Sequence, residues 1–340
     1  MAGKNDISFD QLLNDLKNKI YYPVYLLHGE EPYFIDALCD YMEQNVLNDL
    51  EKEFNQTIVY GKDSNIPTII SYARRFPMMA NYHLLIIKEA QELDKIEELQ
   101  SYVDNPLSST ILLLCYKYGK LDKRKALFKS IEKQGVAFES ARLYDNKIPD
   151  WINNYVNKLH YTITPKASAL LTEFLGSDLG KIVNEIRKLL INLAPGSAIT
   201  EEDIEKNIGI SKDYNVFELQ KALAQKDIVK SNRIILHFAA NPRENPLVKV
   251  IPILFSYFSK VLIYHYLPDK SRNSVAAALS VNPFFVNDYQ QAARSFPAGM
   301  AIQVISILRE YDMKSKGVDN NALYAGDGEL MKELIFKILH

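Results

Sequence analysis

The chain has 340 residues, more than one small core needs, so we expect two or three domains. Hydrophobic residues make up 47% of the sequence, as in ordinary soluble globular proteins. The formal net charge of −2 excludes a strongly basic protein that holds nucleic acid by its overall charge, although it leaves room for a local basic face.

Cysteine usage and hydropathy point to a cytoplasmic protein. Cys39 and Cys115 lie among apolar neighbours, so we expect two reduced, buried thiols. The polar residues 1–19 are unlike a signal peptide. The most apolar long stretch, residues 248–267, contains Pro252 and Lys260, which favours a buried core helix over a membrane span.

The first part of the chain alternates between helical and strand patterns. An amphipathic helix is predicted over residues 6–20, and later helices at 65–75, 94–103 and 121–132, with another after His28-Gly29-Glu30. Short apolar strands are predicted at 22–27, 57–60, 84–87, 110–115 and 136–139. This alternation is typical of a parallel sheet covered on both faces, so we predict a doubly wound α/β domain with a five-stranded parallel sheet over residues 1–142.

After Leu143 the pattern becomes helical, with no convincing strand. A small all-α domain is predicted over residues 143–211, and a second all-α domain over 212–340. The predicted helices of the last domain span residues 214–225, 228–240, 246–267, 273–279, 283–295, 298–315 and 327–339.

The turn after the first strand is where a nucleotide-hydrolysing α/β protein carries its phosphate loop, G-x-x-x-x-G-K-[ST]. Here the turn has one glycine and no lysine, and Glu30 and Glu31 would repel a triphosphate. The first carboxylate position after the third strand holds Lys88, and the fourth strand ends in Cys115-Tyr116 instead of a polar sensor. We therefore predict a nucleotide-binding fold that does not bind nucleotide, with no cofactor residues of its own.

No other catalytic signal is present. The histidines show no metal-ligand spacing, and no G-x-S-x-G motif occurs, so we predict neither a metal site nor catalytic residues. We expect His28 to have a structural role at the end of the first strand.

The connection before the third strand is unusually apolar. Phe76, Pro77, Met78 and Met79 lie where a polar loop is expected. One interpretation is a loop tucked under the sheet edge. The other is an exposed plug for a partner's pocket, to which the flexible thioether of methionine is suited.

A run of basic residues follows the fourth strand. Its members are Lys117, Lys120, Lys123, Arg124, Lys125 and Lys129. A solvated helix face is the simplest interpretation. A contact with DNA or a partner through Lys120, Lys123, Arg124 and Lys125 is the alternative, although no aromatic stacking platform is interleaved.

Taken together, several segments resemble the delta subunit of the bacterial DNA polymerase III clamp loader. They are YLLHGEEPYFID (25–36), ARRFPMMANYHLLIIKEAQ (73–91), DLGKIVNEIRKLL (178–190), FELQKALAQKD (217–227), YDMKSKG (311–317) and LMKELIFKIL (330–339). Each piece alone is weak, but their order and spacing are specific.

The resemblance implies an AAA+-like first domain without a working phosphate loop, a helical lid and a helical collar for oligomerisation. It implies a subunit without catalytic activity of its own in a DNA-directed DNA polymerase holoenzyme. Its partners would be the sliding clamp (beta subunit), the gamma/tau motor subunits, delta-prime and, through the complex, primed DNA. ATP would be bound by partner subunits. Carried over by position, the clamp-binding pair is Met78 and Met79, beside Phe76 and Pro77.

Two other hypotheses remain open from the sequence. One is a divergent AAA+ ATPase with an unrecognised phosphate site. The other is a DNA-binding scaffold that uses the basic run between Lys117 and Lys129.

Overall fold

A computed structural model describes residues 7–208, 214–243, 245–318 and 326–340. The chain divides into two compact units, Met1–Leu143 and Tyr144–His340, which we call unit 1 and unit 2. The division lies one residue beyond the domain end that we predict at 142. The further boundary that we predict at 211 lies outside the described residues, so the separation of lid and collar stays a prediction.

Unit 1 is built on a five-stranded sheet, as predicted. Its strands are β1 (Val24–Gly29), β2 (Gln56–Tyr60), β3 (His83–Lys88), β4 (Thr110–Lys117) and β5 (Val136–Ser140). All pairs are parallel, and the strand order is β2-β3-β4-β1-β5.

The strands alternate their side chains between two buried layers. Val24 and Leu26 of β1 face one apolar cluster, whereas Tyr25 and Leu27 face the other. Both clusters are covered by helices, which explains why the strands read as continuous apolar runs. The helices of unit 1 are α1 (Phe9–Lys17), α2 (Pro32–Asn45), α3 (Asp49–Asn55), α4 (Ile66–Ala73), α5 (Gln100–Val103) and α6 (Ala126–Gln134).

The two cysteines meet in the second of these layers. Cys39 of α2 and Cys115 of β4 are both buried free thiols, as predicted. The neighbouring Cys39 thiol and burial raise the pKa of the Cys115 thiol, so this group stays protonated.

Three helix predictions in unit 1 need correction. Helix α3 was missed, although Asn48 and Glu51 form a capping box at its start. The helix expected over 94–103 is a 3₁₀ turn, Ile96–Leu99, followed by the short α5, because Lys95 before it has a left-handed φ of 52°. The helix expected from residue 121 begins only at Ala126, since the chain before it crosses the end of β1.

Unit 2 is mainly helical. A pair of two-residue parallel strands, β6 (Thr162–Ile163) and β7 (Ala198–Ile199), corrects the expectation that no strand follows Leu143. The helices of unit 2 are α7 (Ile148–Lys158), α8 (Pro165–Leu175), α9 (Leu179–Ile191), α10 (Glu201–Ile208), α11 (Val216–Ala224), α12 (Ile228–Ala240), α13 (Leu247–Tyr266), α14 (Arg272–Leu279), α15 (Val286–Ser295), α16 (Ala298–Ser315) and α17 (Asp327–Leu339).

Helix α13 is long and apolar enough to span a membrane by length and composition alone. Its buried side chains, among them Leu254, Phe258 and Val261, belong to the main core of unit 2 and pack with α11, α15 and α16. This packing agrees with the predicted core helix.

Gly29 ends β1 where two backbones come very close. Its φ is +145°, and a Cβ atom placed on it would lie 2.0 Å from the carbonyl oxygen of Ser140 in β5. The glycine is therefore required by the packing of β1 against β5, and no phosphate is needed to explain it.

Gly29→Ala should destabilise unit 1 by about 3 kcal/mol, because backbone atoms of β5 cannot move aside for a methyl group. Urea unfolding followed by circular dichroism measures this change in the free energy of unfolding. Tryptophan fluorescence is not a suitable probe of unit 1, because Trp151 lies in unit 2. Gly119→Ala is the matched control: its added Cβ would only touch the ring of Tyr116, at 3.4 Å. Equal stabilities of the two variants would refute the steric argument.

Candidate protein-docking loop

The four apolar residues predicted as a plug lie in the connection between α4 and β3. We call Phe76–Met79 the docking loop. Helix α4 ends at Ala73, so the loop follows the helix by two residues and does not form its tip. A helical conformation at Phe76 is also disfavoured by the following proline.

The docking loop projects into solvent. Met79 is fully exposed, Phe76 and Met78 are 75% and 62% exposed, and Pro77 is half-buried. These exposures exclude the alternative of a loop tucked under the sheet edge. Isolated exposed apolar residues are common, but three large ones in four consecutive positions form a patch.

Side-chain contacts hold both ends of this connection. The Tyr102 hydroxyl donates to the Ala73 carbonyl at 3.2 Å, at the point where α4 ends. The ring of Tyr82, just before β3, packs edge-on against Tyr21 with centroids 5.4 Å apart. Between them, the buried side chain of Asn55 bonds the backbone of Met78. Sequence reasoning missed Asn55, because no local pattern relates it to a loop more than twenty residues away.

The docking loop lies at the amino edge of the sheet. Strands β2 and β3 are parallel, and Gln56 stands opposite Leu84. Asn55, which precedes β2, therefore lies beside the chain that leads into β3. A nucleotide would instead bind at the carboxyl edge, near β1, where the strand order reverses.

At that carboxyl edge, the amino terminus of α2 is filled by the protein itself. Glu31 is buried, and its carboxylate accepts a hydrogen bond of 3.0 Å from the Tyr33 N–H. Ser140 of β5 makes two hydrogen bonds to the backbone of Glu31. The Ser140 hydroxyl donates to the Glu31 carbonyl, and the Ser140 carbonyl accepts from the Glu31 N–H. The side-chain carboxylate occupies the place at a helix N-terminus that a phosphate group would need.

The chain after β4 then crosses the end of β1. Gly119 forms an antiparallel bridge with Gly29. The Leu121 N–H donates to Nδ1 of His28 at 3.2 Å, and the buried His28 ring packs against Phe128. His28 thus has the predicted structural role at the strand end.

Burial lowers the pKa of His28 from 6.5 to about 4, with Lys123 and Lys120 acting in the same direction and Glu139 opposing them. The imidazole is therefore neutral at physiological pH, as its role as acceptor from Leu121 requires.

Ion pairs occupy the rest of the carboxyl edge of the sheet. Lys117 Nζ lies 2.7 Å from Asp36 of α2 and 3.1 Å from Glu89. Burial alone would lower the pKa of Lys117, but hydrogen bonds to these two carboxylates raise it, so the ammonium stays charged. Lys88, at the position where a motor would carry a carboxylate, pairs with Glu43 at 2.8 Å.

Two of the predicted basic residues share one acidic partner. Lys120 and Lys123 lie 2.7 and 2.8 Å from the two carboxylate oxygens of Glu139. Their hydrogen bonds lower the pKa of Glu139 to about 2.

The other two predicted basic residues, Arg124 and Lys125, also have acidic partners. Arg124 pairs with Asp122 at 2.9 Å, and Lys125 lies 3.5 Å from Glu97. The positive potential at all four predicted positions is thus partly neutralised by unit 1 itself, so they are not a bare cationic patch. Among the described residues, no group of His, Cys, Asp and Glu side chains is placed to hold a metal ion.

Comparisons with known proteins show what this chain is similar to. Residues 25–141 match the family model of the DNA polymerase III delta subunit. DNA polymerase III subunit delta of Bacillus subtilis is 27% identical over 323 residues, covering 91% of this chain and 92% of that protein. The chain is thus similar to DNA polymerase III delta subunits over most of its length.

A solved structure extends the likeness to the fold of the whole chain. The delta protein of the Bacillus subtilis DNA clamp loader superposes with a TM-score of 0.53 at 24% identity, covering 98% of this chain and 99% of that one. The five-stranded parallel sheet predicted for the first domain is confirmed.

The lowered pKa of His28 makes the stability of unit 1 depend on pH. Between about pH 6.5 and pH 4 the unfolded chain binds a proton at this residue that the folded chain does not. The free energy of unfolding should therefore fall as the pH is lowered through this window, by up to roughly 3 kcal/mol from His28.

An NMR titration of the ring resonances measures this pKa directly and should give a midpoint near 4 for His28. His28→Asn keeps an acceptor for the Leu121 N–H and should reduce the pH dependence of unfolding. Burial also lowers the pKa of His83, which contributes in the same direction, so some slope should remain. A His28 midpoint near the ordinary value of 6.5 would contradict this account.

Proposed function

We propose that this chain is a delta subunit of the DNA polymerase III clamp loader, that it binds the sliding clamp through the docking loop, and that it opens the clamp ring for loading onto primed DNA. The observation that carries the proposal is the exposure of Phe76, Met78 and Met79 in a connection that side-chain contacts hold at Ala73 and at Tyr82. Methionine side chains adapt to irregular apolar pockets, and a few buried anchors dominate the energy of many interfaces.

The binding energy follows from the area that the methionines remove from water. Burial of one such side chain contributes about 1.5–3 kcal/mol. A loop fixed at both ends loses little conformational entropy on docking, so more of that energy is retained as affinity.

Ring opening requires differential affinity. If unit 1 fits an open clamp interface better than a closed one, binding shifts the clamp towards the open state by the difference between the two binding free energies. The subunit itself needs no bond-breaking chemistry for this step. We therefore propose a subunit without intrinsic enzymatic activity, acting in the cytoplasm inside a DNA polymerase holoenzyme.

Nucleotide control belongs to other subunits in this proposal. The carboxyl edge of the sheet in unit 1 is occupied by Glu31, by Ser140 and by the chain around Leu121. We propose that ATP is bound by gamma/tau partners, that delta-prime completes the ring, and that unit 2 supplies the collar contacts. Since Lys120, Lys123, Arg124 and Lys125 pair with acids, primed DNA would be held by the assembled complex more than by this chain.

Replacing both exposed methionines should abolish clamp binding without unfolding the chain. Met78→Ala with Met79→Ala removes about 3–6 kcal/mol of apolar burial, a loss of roughly a hundredfold to ten-thousandfold in affinity. Surface plasmon resonance with the sliding clamp of the same organism measures it. The matched control is Met300→Ala with Met313→Ala, two partly exposed methionines of α16 in unit 2. Undiminished clamp binding by the folded docking-loop variant would refute the assignment.

The isolated chain should show no saturable binding of MgATP. The carboxylate of Glu31 already occupies the start of α2, where the backbone N–H groups would otherwise receive a phosphate group. Isothermal titration calorimetry should give only heats of dilution. Affinity in the micromolar range would contradict the proposal and favour a divergent ATPase.

A further inference from the structure

One buried amide fixes the backbone of the docking loop. Asn55 is 1% exposed, and its Oδ1 accepts the Met78 N–H at 2.6 Å while its Nδ2 donates to the Met78 carbonyl at 2.9 Å. The second Nδ2 hydrogen bonds the Glu51 carbonyl at 3.0 Å, within α3. Both amide hydrogens of Asn55 are therefore used, and two of its three bonds go to a single residue of the docking loop.

This pairing determines the direction of the chain on both sides of Met78. The side-chain amide offers one donor and one acceptor in a plane, so it matches the N–H and C=O of one extended residue. Asn55 is the last residue of α3, and β2 begins at the next residue, so its own position is fixed by the sheet. Because Asn55 is itself fixed by the sheet, its amide also fixes the backbone of Met78 in a loop that is otherwise exposed.

Met79, the next residue, has an unfavourable backbone conformation. Its φ is +53°, in the left-handed region that costs a side chain with a Cβ atom about 1–2 kcal/mol. Its side chain is fully exposed, so packing does not compensate for this cost. Such a conformation persists only where the surrounding structure holds the backbone, and here Asn55 holds the adjoining residue, Met78.

We infer that Asn55 is a positioning residue for clamp binding, which holds Met78 and Met79 in the docking conformation before the clamp arrives. The inference rests on the proposed function of the docking loop and adds a residue that never touches the clamp. Without the amide, the Met78 N–H and C=O lose their partners and the loop samples other conformations. Affinity then falls because ordering of the loop must occur on binding.

Clamp affinity of the full-length chain tests this inference. Asn55→Ala should weaken binding about tenfold. Asn48→Ala is the matched control, because Asn48 caps the opposite end of the same helix, α3, without contacting the loop. That variant should lose stability, by about 1 kcal/mol, but bind the clamp within about twofold of the unchanged chain. Asn55→Ser, which is uncharged and keeps a hydroxyl that can donate or accept, should fall between Asn55→Ala and the unchanged chain, and it covers the case in which Asn55→Ala does not fold.

A thermodynamic cycle separates positioning from general destabilisation. If Asn55 acts through the methionines, Asn55→Ala should cost less affinity in a Met79→Ala background than in the unchanged chain. Hydrogen exchange of the Met78 amide should also accelerate in Asn55→Ala and not in Asn48→Ala.

Each other outcome has a distinct meaning. Unchanged clamp affinity in Asn55→Ala, equal losses in Asn48→Ala, or full additivity with Met79→Ala would overturn the positioning role and leave the proposed function standing. Failure of the unchanged chain to bind the clamp would overturn the proposed function, and the inference with it.

Discussion

Strand β1 ends with its backbone very close to the backbone of β5. The rest of the carboxyl edge of the sheet is built on this close approach. Gly29 has no room for a Cβ atom beside the Ser140 carbonyl, and Ser140 in turn fixes the backbone of Glu31 at the start of α2. The helix terminus that would otherwise attract an anion already has a carboxylate. The chain around Leu121 then covers the strand end through its bond to His28.

The opposite edge of the same sheet carries the exposed apolar loop. Parallel strands place all amino ends together, so Asn55, just before β2, lies beside the chain entering β3. The sheet is about five residues long between these edges, or roughly 17 Å. The carboxyl edge of the sheet, where a motor protein would bind nucleotide, is thus covered by groups of the chain itself. The amino edge carries the loop that we propose docks on the clamp.

The sequence was informative where patterns are local. Continuous apolar runs predicted all five strands, and helix periodicity with proline punctuation predicted α12, α16 and α17 over the ranges that the structure has. The missing phosphate-loop residues also predicted a fold of nucleotide-binding type that binds no nucleotide, and this stays a prediction. Contacts distant in sequence were beyond such reasoning, including the Asn55 amide on Met78 and the Leu121 N–H on His28. Short elements with left-handed residues, such as the turn after Lys95, also escaped prediction because tertiary packing overrides their weak helical pattern.

The account depends on direct insertion of two side chains into the sliding clamp. The chain has seven methionines, so a carbon-13 methyl spectrum of methionine-labelled protein reports on each of them separately. On titration with the clamp, the resonances of Met78 and Met79 should shift and lose their solvent accessibility, while buried Met42 and Met331 should stay unchanged. Clamp binding that leaves the Met78 and Met79 resonances where they were would contradict the account.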